Sequence, residues 1–308
     1  MDAKRYKKLK RILLITLAAL ITIVVFVISF ANSNNIPDWN DIYRSMGLLP
    51  EEEKADFVRF LDVGQGDSIL ISSNGYNAVI DTGPSESADE LIEELKKENI
   101  EEIDVLLLTH LHFDHVGGIE QLIENFKIKN LIIPDLTSGL EGYAAGKAAK
   151  ESVIAANGGV FRAQEGMKVD IGDFEITVLG YYPEMKEEND RSIITAAKIE
   201  DFRFLFMADA HEGTESRLIL EGINVDSDVI KIGHHGSKTS SDLDFLKTVS
   251  PDYAVISVGA DNSYNHPNGA IITRLESLDA EVYRTDNNGS ITFYIEDGEL
   301  KPLTEYKN

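Results

Sequence analysis

Four metal-ligating side chains fall within six residues, in the run Thr109-His110-Leu111-His112-Phe113-Asp114-His115 that follows Ile103, Val105, Leu106, Leu107 and Leu108. A buried strand ending in such a cluster can bring three imidazoles and one carboxylate to a single point. Nitrogen and oxygen donors at this short spacing suit zinc and similar divalent ions. The chain holds only 7 His, so three of them in one loop is not chance crowding. Gly117-Gly118 then opens a helix with Ile119, Leu122, Ile123 and Phe126 on one face.

From residue 56 onward, short apolar runs alternate with helical periods. Phe57 to Leu61, Ser68 to Ile71 and Ala78 to Ile80 predict three strands joined by turns, and Leu91, Ile92 and Leu95 predict a helix after them. Val169 to Leu179 predicts a hairpin turning at Gly172-Asp173. A second hairpin is expected from Ser192 to Ile199 and Phe202 to Met207, turning at Glu200-Asp201. Helices and strands alternate from there to Thr292-Tyr294, an α/β pattern with strands leading and βα units behind. Gly64-Gln65-Gly66 lacks the third glycine of a dinucleotide loop and reads as a tight turn. Asp81, before Thr82-Gly83, suits a turn. Asp209, after the apolar run Phe204 to Ala208, suits a helix N-cap.

There is no Cys, which excludes disulfides, a thiolate nucleophile and a lipidated cysteine. The formal net charge is −24, and because residues 1–31 set six basic side chains against Asp2, the remainder stands at −29. So acidic a body repels polyanions in general. Ile12 to Ala31 is an uncharged, mostly apolar run, about 30 Å long as a helix, which matches a bilayer core. The basic residues before it favour a cytoplasmic N-terminus with the body exported. A signal peptide cleaved near Ser29-Phe30-Ala31 is the rival, although such apolar regions usually span only about 7–15 residues. The expected plan is a basic tail (1–11), a transmembrane anchor or signal peptide (12–31), a tether (32–55) and a folded body (56–308).

His110, His112, Asp114 and His115 spell HxHxDH, and the chain thereby resembles the metallo-β-lactamase superfamily. The resemblance implies a four-layer αββα sandwich, here preceded by the transmembrane helix. It also implies two divalent ions, zinc by default and manganese as the alternative. The HxH pair would hold the first ion and the DH pair the second, with Asp209 bridging both. Asp62-Val63-Gly64-Gln65-Gly66-Asp67-Ser68, Ile80-Asp81-Thr82-Gly83, Lys231 to Ser237, Ser257 to Pro267 and Arg284-Thr285-Asp286 are similar, in order, to the motifs of ComEC-type DNA-uptake proteins. By that likeness Asp81 supports the ligands from behind. One of His234 and His235 completes the second ion's set; side chains adjacent on an extended backbone face opposite ways, so both are not expected at one ion. His266, held extended by Pro267, is a further ligand or a substrate-side acid. The chain departs from the pattern in two places. Ala208 stands where glycine is usual, and no His lies between His115 and His211 to complete the first ion's set. Asn189 and Ser192 match the branch's Asn-x-x-Ser pattern and replace that ligand with polar groups. His211, two residues after Asp209, could also reach the cluster, though an exposed helix start is the expectation.

A hydroxide held between two cations attacks an anionic ester without a side-chain nucleophile. The ComEC resemblance points to phosphodiester hydrolysis with DNA as the reference substrate, Asp114, Asp209 and His266 being the catalytic candidates. The acidic body argues against nucleic acid unless Lys231, Lys238, Arg191 and Arg203 form a basic rim. Two alternatives stand beside it: a hydrolase of small or envelope-bound esters such as phosphorylcholine esters, and a non-catalytic DNA-binding module.

Overall fold

Apolar residues repeating every second position make each strand of this chain two-faced, and the two faces feed different cores. In β1 (Asp56–Phe60), Val58 and Phe60 point one way and Phe57 the other; in β2 (Ile69–Ser73) and β3 (Tyr76–Ile80), Ile69, Ile71, Ala78 and Ile80 join the first set, and Leu70 and Val79 the second. The computed structural model describes residues 55–306 except 297, together with Thr16, Ile21 and Thr22. The expected basic tail, anchor and tether thus lie, but for those three residues and Ala55, outside the described residues. Among the described residues no helix is long and apolar enough to cross a membrane.

The first half continues with β4 (Glu102–Leu107), β5 (Lys127–Ile133) and β6 (Gly159–Arg162). The second consists of β7 (Lys168–Ile171), β8 (Phe174–Gly180), β9 (Ile194–Ile199), β10 (Phe202–Phe206), β11 (Val229–Lys231), β12 (Tyr253–Ile256) and β13 (Glu281–Arg284). Then β14 (Ile291–Glu296) and β15 (Glu299–Thr304) return to the free side of β1. The result is an eight-stranded sheet, β15-β14-β1-β2-β3-β4-β5-β6, and a seven-stranded sheet, β13-β12-β11-β10-β9-β8-β7. Each begins its half antiparallel and becomes parallel, at β3–β4 in one sheet and β10–β11 in the other. The two expected hairpins form at the expected turns.

The inner faces pack on each other around Phe60, Phe174, Phe204, Phe206 and Phe293, whose ring centroids lie 6.0–6.4 Å apart where they meet. Each such side chain contributes about 1.5–3 kcal/mol on burial. The outer face of the first sheet is covered by helices Ala88–Lys97, Ile119–Asn125 and Tyr143–Ala155. That of the second is covered by Glu212–Leu220, Leu243–Val249 and Gly269–Glu276. This is a helix–sheet–sheet–helix sandwich of two similar halves.

Several elements went unanticipated, β5 among them. Helix Tyr143–Ala155 buries only Gly146, Ala149 and Val153, so its apolar stripe is small-residue and faint. β6 and β15 are edge strands, half exposed and poor in apolar alternation; β15 carries Pro302, tolerated because an edge strand needs fewer ladder donors.

Candidate metal centre

Residues from both halves meet where parallel strands end. The loop after β4 carries His110, His112, Asp114 and His115, and Asp81 directly follows β3. Asp209 lies just beyond β10, and His234 and His235 beyond β11. The turn Gly64–Gly66 and the segment Asp81–Gly83 hold the first loop's backbone. Asp67 N–H donates to the Asp114 carbonyl and Thr82 N–H to that of His115. A Cβ on Gly66 would lie 2.3 Å from the Asp114 carbonyl oxygen, so this turn requires glycine.

Asp114, His115, Asp209 and His235 each present one donor atom within 4.8 Å of the others, and His110, His112 and Asp209 do likewise. Asp209 belongs to both sets through different oxygens. Its Oδ1 is 3.2 Å from His115 Nε2 and 3.5 Å from His235 Nε2, while Oδ2 is 4.0 Å from His110 Nε2. His235 Nε2 also lies 3.3 Å from Asp114 Oδ2.

The far nitrogens of the rings are spoken for. His115 Nδ1–H donates to Asp81 Oδ2 at 2.7 Å, and His235 Nδ1–H to the Ser257 carbonyl at 2.9 Å. Thr109 donates its N–H and hydroxyl to the two Asp81 oxygens at 2.8 and 2.6 Å, and its hydroxyl oxygen lies 3.2 Å from His110 Nδ1. Asp81 therefore stands behind two imidazoles and aims their Nε2 lone pairs inward, the arrangement that orients metal ligands.

The electrostatics fit a cation. His115 Nε2 and Asp209 Oδ1 are buried with no hydrogen-bond partner, a costly state unless something positive sits between them. Burial disfavours charge on His115 and His235, but the carboxylates around them, Asp209 foremost, outweigh it. Both imidazoles are held above the ordinary value, His235 at about 9. Burial works against the Asp209 carboxylate too, yet His235 and His115 hold it well below the usual range. Burial, reinforced by His115, pushes His110 well down.

A second group flanks this one. His234 lies 3.7 Å from Asp209 Oδ2 through Nε2 and 3.1 Å from His211 Nε2 through Nδ1. Asn189 Nδ2 approaches both rings at 3.3–3.4 Å, and Ser192 Oγ accepts from the Asp209 N–H. Burial pushes His234 down to about 4. His266, also pushed down chiefly by burial, lines the cleft above with His234, His235 and Asn189. That cleft measures about 410 Å³.

Several expectations change. The backbone at His234 and His235 is not extended: both residues are left-handed, with φ 48° and 53°. The two rings still diverge, His235 into the buried set and His234 toward His211. His211 is not a surface residue: it occupies the N-cap position of its helix without a capping side-chain hydrogen bond, and its side chain is 22% exposed and turned toward His234. His266 precedes Pro267 through a cis peptide bond. Ala208 adopts φ 46°, the conformation glycine favours, and its carbonyl accepts from His234 N–H and Lys231 Nζ–H. Of the four cations of the expected basic rim Lys238 is exposed, and the other three are engaged elsewhere. Lys231 is fully buried and paired with Asp67, while Arg191 and Arg203 donate to the backbone carbonyls of Met185, Lys186 and Asn224.

Thr109, Asp67 as the partner of Lys231, and the cleft residues Phe113, Glu141 and Tyr264 were missed. Asp67, Thr109 and Phe113 sit inside motifs named above and Tyr264 within the stretch Ser257 to Pro267, a signal that was available; Glu141 carries none.

The model of the metallo-beta-lactamase superfamily matches residues 61–260. The chain is 29% identical over 256 residues to ComE operon protein 3 of Bacillus subtilis, covering 77% of this chain and 32% of that one. It is 29% identical over 260 residues to competence protein ComA of Neisseria gonorrhoeae, covering 82% and 34%. It thus spans about a third of the length of these relatives. Among solved structures, the metallo-beta-lactamase fold protein YhfI of Bacillus subtilis superposes with a TM-score of 0.53 at 12% identity, covering 78% of this chain and 99% of that one. The diiron β-hydroxylase CmlA of Streptomyces venezuelae also gives a TM-score of 0.53, at 15% identity, covering 83% and 59%. Matching motifs, architecture and family model agree: the chain belongs to the metallo-β-lactamase superfamily, whose fold implies bound divalent metal ions.

Proposed function

We propose that this protein is a metal-dependent phosphodiesterase acting on nucleic acid. The observation that carries the reading is the sharing of Asp209 between two adjoining donor sets on the floor of an open cleft. His110, His112 and Asp209 would hold one ion, and Asp114, His115, Asp209 and His235 the other. Two divalent ions, when bound, supply Lewis-acid stabilisation of the phosphoryl oxygens and an activated water. Zinc suits the imidazole-rich sets, and manganese suits a first site completed by oxygen donors. The protein's part is orientation. Asp81 and the Ser257 carbonyl fix the imidazole tautomers, and Ser192 pins the strand end that carries Asp209. Asn189, His234 and His211 border the first set where a third histidine is usual in the superfamily. His266, which lines the same cleft, would be the acid on the substrate side that serves the leaving oxygen.

The competence-protein relatives support nucleic acid as the substrate. The apolar run Ile12 to Ala31 behind six basic residues supports a membrane-tethered, exported placement, which protease protection in sealed cells would test. The deciding assay is hydrolysis of single-stranded DNA, plasmid and phosphocholine esters at saturating zinc or manganese. Asp114→Ala and Asp209→Ala should each lower turnover at least about a thousandfold with the circular dichroism spectrum unchanged. Near-normal rates for Asp209→Ala would end the two-metal reading.

A further inference from the structure

Two large aromatic side chains stand exposed in the cleft that contains Asp114, Asp209 and His235, one from each half of the fold. Phe113, between the ligand candidates His112 and Asp114, is 53% exposed, and Tyr264 is 66% exposed. Isolated exposed rings are ordinary. A pair lining the cleft that holds the ligand candidates forgoes burial at the very place where a substrate would restore it.

The second ring has a stacking partner on a held loop. Tyr264 stacks on His266, with centroids 5.7 Å apart and planes at 27°. Asn262 holds the loop, accepting from the N–H groups of Tyr264 and His266 and donating to the His266 carbonyl. Little ordering is then needed on binding. A quaternary ammonium is bound by rings boxed around it; the flat Tyr264–His266 tier offers a surface that fits a planar base.

Charge points the same way. Among the described residues Lys231 is buried and Arg191 and Arg203 are engaged by backbone carbonyls, which leaves the exposed Lys238 as the remaining cation of the expected rim, a small charge to set against a run of phosphates. Affinity for a polyanion must then come from bases as well as from the metal centre. Stacking on aromatic side chains supplies it for unpaired bases, whose faces are free, and not for a duplex, whose faces are covered.

We propose that Phe113 and Tyr264 are base-stacking residues that hold unpaired nucleobases flanking the scissile phosphate, making single-stranded nucleic acid the preferred substrate. This rests on the phosphodiesterase reading above.

The test compares a short oligothymidylate with an abasic strand of the same length, using the full-length, metal-loaded protein. Affinity is read by fluorescence anisotropy and turnover by product analysis, with bound metal measured for every variant. The wild type should favour the base-bearing strand by on the order of tenfold or more. Phe113→Ala and Tyr264→Ala should each shrink that ratio several-fold, and the double variant should bring it near one, while Tyr264→Phe and Tyr264→Trp keep it. Should Phe113→Ala lose metal, Tyr264→Ala, remote from the ligands in sequence, decides. A wild-type ratio near one, or alanine variants that leave the ratio unchanged, overturns the proposal. So does preferential capture of a phosphocholine ester by the same rings. Equal cleavage of both strands would refute stacking and keep the phosphodiesterase; base-dependent binding without cleavage would do the reverse.

Discussion

Replacing Lys231 by methionine removes a cation that has no access to water. Its side chain is fully buried and its ammonium pairs with Asp67, itself 2% exposed. Burial alone would raise the Asp67 pKa; Lys231, then His235 and His115, outweigh it and hold the carboxyl below its ordinary value. Without Lys231, the charge on Asp67 faces the His235 Nδ1 at 3.4 Å and the His115 Nδ1 at 4.0 Å, both engaged elsewhere. Removing one partner of a buried pair costs about 3–5 kcal/mol, whereas replacing both by neutral groups is often close to neutral. Lys231→Met and Asp67→Asn should each be destabilising by that amount, lowering the melting temperature by roughly 6–20 °C in a domain of this size. The double variant should recover at least about 2 kcal/mol relative to the sum of the singles. Urea and thermal unfolding in the presence of a chelator would measure this without a contribution from bound metal. Single costs below about 1 kcal/mol, or strictly additive costs, would refute the view that the pair acts as a unit.

Ala208→Gly should stabilise the protein by up to about 1 kcal/mol, because φ 46° strains an L-residue; equal or lower stability in urea would contradict this. His211→Ala should slow phosphodiester turnover about fivefold, the worth of one hydrogen bond to His234, and an unchanged rate would return His211 to a surface role. Glu215, 1% exposed and accepting from the Ser241 and Asp242 N–H groups, is pushed up to about 7 by burial. The folded state therefore keeps its proton longer than the unfolded chain. Stability falls as pH rises from about 4.5 to about 7, by up to about 3 kcal/mol from this group. Glu215→Gln should abolish that part of the slope, and parallel stability–pH curves for the two proteins would exclude it.

The centre of the fold was legible because period and chemistry coincided. The apolar alternation of β1 to β4 and of the β7–β10 hairpins is strong, and HxHxDH packs four donors behind a buried strand. Legibility failed where signals are conformational. Nothing in His234-His235 announces two consecutive left-handed residues, so the extended-strand geometry assumed for them did not apply. Lys231 read as surface charge because lysine usually is; its burial is set by Asp67, 164 positions earlier, a pairing across the two halves that linear spacing does not encode. Phe113 and Tyr264 lie inside motif stretches but are not among the residues that define them, and their meeting in one cleft is visible only once the halves are packed.

The placement of the donors has a mechanical corollary. Asp114 and His115 come from the first half and Asp209 and His235 from the second, and the other donor set likewise joins His110 and His112 to Asp209. An ion in either set would act as a rivet across the seam between the halves. Chelation should then loosen the seam before either sheet melts, so amides near the ends of β4, β10 and β11 would gain hydrogen exchange first, and the inner phenylalanine layer last. Loss of metal would be felt by this protein as a partial opening along its midline.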